Sequence, residues 1–246
     1  MIADPEWLDV GGRALRVVRL AAGADCAAVA ASLAAADLPI EVPVVVLVGG
    51  AGGLAPDDAD ACLHAFELAL VPVVEAVGAV LVDGGTNSGI MALVGFARRR
   101  VGGCRPYVGV AAEGTVRWPG VGGTRPDAAD LEPHHTHIIR VPGDQWGDET
   151  PWLSRVASAL AGSTPSVTVL ANGGEVAYDD VGQSLAADRQ VLVLSGTGRT
   201  AQQLVAAREG READSRALAL SASPLLNVVT ADPAEVREAL TAALSK

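Results

Sequence analysis

Lysine is almost missing from this chain: the terminal Lys246 is its only one, and arginine carries the rest of the positive charge. Against 18 basic residues stand 29 acidic ones, a net charge of −11 over 246 residues. An acidic surface repels phosphate backbones, which argues against nucleic acid as a partner. Cysteine is scarce too. Cys26, Cys62 and Cys104 lie far apart with no CxxC spacing, so they suit reduced core thiols and not a disulfide framework or a zinc site. Long hydrophobic runs are also lacking. The longest, around Leu68 to Val82, is broken by Pro72, Glu75 and Gly78, short of the roughly 18 apolar residues a membrane helix needs. The start, Met1-Ile2-Ala3-Asp4-Pro5-Glu6, has neither the basic residues nor the apolar run of a signal peptide. A soluble, cytoplasmic protein without membrane insertion is expected.

What is present is hydrophobic: half of the residues, with a mean hydropathy of +0.32. That excludes intrinsic disorder and allows a substantial core. The pattern is an apolar run, a glycine cluster and an amphipathic helix, repeated. Val42 to Val48, Ala79 to Val82, Tyr107 to Ala112, Ile138 to Val141, Val167 to Ala171 and Val191 to Leu194 read as strands buried on both faces. Leu15 to Leu20 reads as a further strand and Asp25 to Leu38 as a helix. Leu218 to Leu220 and Asn227 to Val229 read as short edge strands. A helix opens at Pro56 with Asp57, Asp58 and Asp60 in its first turn, and Pro72 is expected to kink or end it. Thr150 should cap the helix that begins at Pro151, and Asp232 the last one. Strands alternating with helices predict one α/β domain with a mainly parallel sheet. Glu113 to Pro133 has no periodicity, and a stretch of that length is expected to be a functional lid or a disordered segment.

The glycine clusters Gly49–Gly53, Gly84–Gly89, Gly173–Gly174 and Gly196–Gly198 each follow a strand, so in a parallel sheet they meet at one edge. Glycine lets backbone approach a ligand, and the following helix starts favour anions. Together these features point to a phosphate- or nucleotide-type ligand, although a single βα turn would need glycine in any case. Arg199, directly after Gly198, is placed to hold a phosphate or stack on a base. The run Arg98-Arg99-Arg100 reads as a solvated helix end.

Gly50-Ala51-Gly52-Gly53-Leu54-Ala55 formally fits the dinucleotide fingerprint. The acidic residue it requires about 20 positions on has only Asp83 as a candidate, after a longer helix, which disfavours a nicotinamide dehydrogenase. Among Glu132-Pro133-His134-His135-Thr136-His137, His135 and His137 should share one strand face while His134 points away. Two imidazoles could begin a zinc site, but no ligand set completes it. Hydrogen bonding to backbone or ligand is the favoured role, and no metal is expected. Asp83, Glu113, Glu175, Asp179 and Asp180 fall at the same edge, where two adjacent carboxylates could do acid–base work. His64 reads as a core or surface residue.

The order of these motifs is itself informative. Val48-Gly49-Gly50, Ala79 to Gly85 with Gly89, Tyr107 to Ala111 with Gly114, Leu131 to Ile139, Asn172-Gly173-Gly174 and Val193 to Arg199 follow one another. From about Val42 to Ala207 the chain resembles the LSDAT branch of the SLOG superfamily and is similar to the N-terminal cytosolic region of melastatin-type TRP channels. The resemblance implies a Rossmann-like, doubly wound sheet with helices on both faces, binding nucleotides or nucleotide-derived signals such as ADP-ribose. No further cofactor is implied. By motif, the ligand would contact Gly49 and Gly50, the loop Asp83, Gly84, Gly85, Thr86, Asn87, Ser88 and Gly89, then Glu113 and Gly114. It would also contact Asn172, Gly173 and Gly174, and Gly196, Thr197, Gly198, Arg199 and Thr200, with His135 and His137 bordering the cleft. A binding or sensing protein, assembled as a homo-oligomer, is the expectation. The alternative is a hydrolase acting on the N-glycosidic or phosphate bond of such a ligand. The enzymatic LOG branch carries Gly-Gly, Gly-Thr and then a catalytic glutamate. Here Gly173-Gly174 is kept, Val176-Ala177 replace the Gly-Thr, and Asp180 stands at the glutamate position. Asp180 and Glu113 are the catalytic candidates.

Overall fold

A computed structural model describes residues 6–50, 52–120 and 125–245. Ala51 of the first glycine turn, Met1 to Pro5, Val121 to Thr124 of the long loop and Lys246 lie outside the described residues.

The chain begins with a hairpin, β1 (Glu6–Val10) and β2 (Arg13–Arg19), followed by α1 (Cys26–Ala35), β3 (Val44–Gly49) and α2 (Pro56–Ala65). A π-helical turn, Phe66–Leu70, joins α2 to α3 (Val71–Val77), and β4 (Val80–Asp83), α4 (Gly89–Val101) and β5 (Tyr107–Ala112) follow. Two short strands, β6 (Val116–Arg117) and β7 (Ala129–Asp130), precede β8 (His137–Val141) and α5 (Thr150–Ala161). The rest is β9 (Ser166–Ala171), α6 (Glu175–Ala186), β10 (Gln190–Ser195), α7 (Arg199–Arg208), α8 (Ser215–Ser221), β11 (Leu226–Thr230) and α9 (Pro233–Leu244).

Nine strands form one sheet in the order β1-β2-β8-β5-β4-β3-β9-β10-β11. Among the described residues only the β1–β2 pair of this sheet is antiparallel. The continuous Val/Leu runs of β3, β4, β9 and β10 bury both faces, as a doubly wound sheet requires. Residues of α1, α5, α6, α7 and α8 pack on one face, and those of α2, the π turn, α3, α4 and α9 on the other.

Several expectations are corrected. Leu218 to Leu220 lies in α8, because Asp214 caps a helix there and three apolar residues cannot outweigh it. The first strand of the hairpin, β1, has no counterpart in the sequence reading. The cap of α5 is Glu149, and the Thr150 side chain makes no cap bond. Pro72 does not end its helix. It has no N–H for the Leu68 carbonyl, so the backbone widens into the π turn just before it and continues to Gly78. The freed Leu68 carbonyl accepts from Arg237 of α9. Only Cys62 is a core thiol, its pKa pushed up to about 12 by burial, while Cys26 and Cys104 are exposed. Arg98 is not a solvated helix end. It is buried, donates to the Gly103 and Arg105 carbonyls, and stacks over Tyr107. His64 is exposed on α2. The long loop is anchored by Val116, Trp118 and Leu131, which cover β2, β5 and β8 where no helix does. Among the described residues no helix is long and apolar enough to cross a membrane.

Candidate functional site

Strand order reverses beside β3. The chain places β4, β5 and β8 on one side of it and then returns to lay β9 on the other. The helices after β3 and β9 therefore leave to opposite faces, and the carboxyl edge opens into a crevice between them. A cavity of about 260 Å³ lies there. Gly49, Gly50 and Gly52 form its wall after β3, and Gly84 and Thr86 its wall after β4. Gly174, Glu175 and Asp180 come from the start of α6, and Arg199 from the start of α7. Leu47, Val48, Met91 and Leu153 supply an apolar floor, and Trp146 and Glu149 enter from the loop before α5. A more open cleft of about 710 Å³ adjoins it, sharing Gly174, Glu175 and Arg199 and adding Tyr178, Thr200 and Gln203.

The helices that begin around this edge are uncapped. No side chain at Ala55, Ser88, Gly174 or Gly198 bonds to the first turn of α2, α4, α6 or α7. By contrast Asp25, Asp214 and Asp232 cap α1, α8 and α9. Ile90 of α4, Ala177 of α6 and Ala201 of α7 already donate to the carbonyls of Gly50, Gly174 and Asn172; the other first-turn N–H groups, at the positive end of a helix dipole, favour an anion.

Asn172 ties the turns together. Its backbone is left-handed at φ 62°, its N–H donates to Thr197 Oγ1 and its Nδ2 to the Thr197 carbonyl, both at 2.8 Å. The second bond fixes the amide orientation, so Oδ1 is an acceptor, and it is buried without a partner. A Cβ on Gly50 would lie 2.4 Å from that oxygen, so the turn after β3 passes over Asn172 only as glycine. Arg199 is exposed and anchored by one Nη, which donates to the Gly52 carbonyl at 2.7 Å.

Acids line the same cavity. Burial pushes the Asp180 carboxyl up to about 7, reinforced by repulsion from Glu149 and Asp179. Burial likewise raises Glu149 above the usual carboxylate range. Each therefore holds a proton more readily than an exposed carboxylate.

Of the residues expected at the ligand, Gly49, Gly50, Gly84, Thr86, Gly174, Asp180 and Arg199 line the cavity, and Thr200 lines the adjoining cleft. Asn172, Gly173, Thr197 and Gly198 lie beneath as the scaffold, and Gly196 is exposed. Ser88 bonds Thr86 at 3.1 Å, Asn87 donates to the Asp130 carbonyl, and Gly89 starts α4. Gly85 crosses over Gly109 of β5.

Others lie elsewhere. Asp83 is fully buried: it accepts from the Gly85 N–H and the Tyr107 hydroxyl and meets His135 Nε2 at 2.8 Å. It has no oxygen to offer a ribose, which removes the acidic partner the dinucleotide fingerprint would need. His135 stacks on Tyr107 with ring centroids 3.8 Å apart and is held between Asp83 and Glu132. These carboxylates raise it to about 9 against the opposing cost of burial. His137 faces the opposite side, bonding the Ala36 carbonyl after α1. The expectation of a shared face fails because the strand starts only at His137, and His135 belongs to the turn before it. His134 pairs with Glu132. Glu113 pairs with Arg140, and Gly114 is pressed against Asp144; neither lines the cavity. No group of His, Cys, Asp and Glu among the described residues could hold a metal ion.

Trp146 and Glu149 were not singled out from the sequence. Their only signal is an aromatic and an acid in a Gly/Asp segment before Pro151, which does not say that the segment folds back over the β3–β9 crevice.

The family model described as SLOG in TRPM, prokaryote, matches residues 42–239. The chain belongs to this family. The match runs from just before β3 into α9, so it holds every wall of the SLOG cavity and leaves out the β1–β2 hairpin and α1. No curated protein matches. Among solved structures, the molybdenum cofactor carrier protein of Chlamydomonas reinhardtii is similar at a TM-score of 0.54 and 14% identity, over 83% of this chain and 99% of that one. That likeness concerns the Rossmann-like fold.

Proposed function

We propose that this SLOG protein binds a nucleotide-derived small molecule, in the cytoplasm, at the carboxyl edge of its sheet. The observation that carries the proposal is the convergence, at the β3–β9 switch point, of uncapped helix starts, glycine turns and Arg199 on one cavity. A phosphate there meets backbone N–H groups and a guanidinium. The adjoining cleft shares Arg199 with the cavity, which suits a two-part ligand of the ADP-ribose kind, its diphosphate between two chambers. The experiment is a thermal-shift screen over AMP, NAD and ADP-ribose. A rise in melting temperature is expected with at least one of them, and flat curves at millimolar concentration would defeat the proposal.

A second reading rests on the Asp180 carboxyl, raised to about 7, in the same cavity as Glu149, which burial also raises. In N-glycosidic hydrolysis the C1′–N bond breaks, a neutral carboxyl gives its proton to the leaving nitrogen, water gives its hydroxyl to C1′, and the remaining water proton returns to the carboxylate. Incubation with the same three compounds separates the readings. Binding without released base supports sensing; turnover lost in Asp180→Asn supports the hydrolase.

A further inference from the structure

Trp146 stands at the cavity mouth, and its indole is not loose. Its Nε1 donates to Asp127 at 3.2 Å, and Asp127 is gripped by Arg125 through two bonds of 2.5 and 2.9 Å. Arg125 also donates to the Asp144 carbonyl in the Trp146 loop. An indole 36% exposed and held in one orientation by a chain of charged bonds presents a fixed partial face, which is what a stacking platform needs. The same cavity is lined by Asp180 and Glu149 and by the apolar Leu47, Met91 and Leu153.

We propose that the cavity takes a planar nucleobase, stacked on Trp146, whose edge bearing an amino group beside a ring nitrogen pairs with the Asp180 carboxyl group, as in adenine. The proposal rests on the nucleotide reading and deepens it. A neutral carboxyl offers an O–H donor and a C=O acceptor side by side, which complements a ring-nitrogen acceptor next to an amino donor. An ionised carboxylate offers only acceptors and repels the ring nitrogen. Burial holds the Asp180 carboxyl at about 7, with Glu149 at the start of α5 and Asp179 on α6 also raising it and the Thr150 hydroxyl opposing them, so the neutral form prevails below that pH. The other acid of the cavity, Glu175, is paired with Arg216 of α8 at 2.9 Å, and Arg199 is tied to Gly52.

The probes are AMP and ribose 5-phosphate, titrated by calorimetry; their affinity ratio cancels the titration of the shared phosphate. AMP should bind about tenfold or more tighter, the scale of one base stacked on one aromatic. Trp146→Ala should weaken AMP by about that factor and leave ribose 5-phosphate within about twofold. In the native protein the ratio should fall from pH 6 to pH 8.5, as a carboxyl with a pKa of about 7 ionises, toward the advantage that stacking alone leaves. Asp180→Asn, whose amide presents a donor and an acceptor at every pH, should hold the ratio constant. Equal affinity for the two probes, equal losses in Trp146→Ala, or an unchanged pH dependence in Asp180→Asn would each overturn the base assignment while leaving phosphate capture in place. Failure of both probes to bind would overturn the nucleotide reading with it.

Discussion

Arg199 meets the cavity with one Nη bonded to Gly52 and the rest of its guanidinium free to turn toward a ligand. Arg199→Ala should weaken a phosphate-bearing ligand by about 1.5–3 kcal/mol, the range for a hydrogen bond to a charged group, and leave the melting temperature nearly unchanged. Unchanged affinity in calorimetry would remove the residue from the site. His135 makes a different prediction. Its folded pKa of about 9 lies above the ordinary histidine value of 6.5, so the protonated form stabilises the fold. That stability is full below pH 6.5 and is lost as pH rises through 9, amounting to about 3 kcal/mol. Denaturant unfolding from pH 6 to pH 10 should show the fall, and His135→Gln should flatten it. Asp180 has the opposite character, a carboxyl whose ionisation is disfavoured in the folded chain. Asp180→Asn should therefore raise the melting temperature at pH 8 more than at pH 4. Arg199 and Asp180 were legible in the sequence because each sits at a fixed place in a turn motif. The burial of Asp83 and His135 was not, since it depends on Tyr107, which is distant along the chain and adjacent only in the fold.

At the scale of elements, α4 shows how context reverses a propensity. Glycine inside a helix normally costs about 1 kcal/mol relative to alanine. At Gly95, however, an added Cβ would lie 2.1 Å from Glu132 Oε1, and Glu132 is buried and bonded to two histidines. Gly95→Ala should therefore destabilise by about 2 kcal/mol or more, through displacement of a buried charge. A stabilised variant in urea unfolding would show that the loop gives way freely. Arg189, at the turn before β10, is a second case. It is almost wholly buried with no carboxylate partner, donating instead to Ser166, Ser154 and Ser158, and burial lowers its pKa to about 10. The sequence marks Val191 to Leu194 as a strand but does not distinguish Arg189 from a surface arginine. The helix–strand alternation was legible because period and glycine punctuation are local. The π turn and α8 were missed because a proline and a three-residue apolar run are ambiguous until neighbouring elements settle them.

For the whole molecule, a ligand that binds only the folded chain should add about 2.7 kcal/mol of stability at 100 times its Kd, and this should appear as a concentration-dependent melting temperature. Chelators should leave that temperature unchanged, since the described residues offer no metal cluster. With a net charge of −11, capture of an anion depends on local donors and not on a general positive field. Composition and periodicity by themselves determined the α/β class, the parallel sheet and the glycine turns at its carboxyl edge, because each follows from residues close together in the chain. Only the tertiary structure decided which of those turns share a cavity. The return of β9 to the free side of β3 sets Gly50, Gly174 and Arg199 together with Trp146 and Glu149, and it leaves Asp83, Glu113, His135 and His137 outside. Strand order is fixed by long-range packing of near-identical Val/Leu runs, and such runs carry no mark of which neighbour they will pair with.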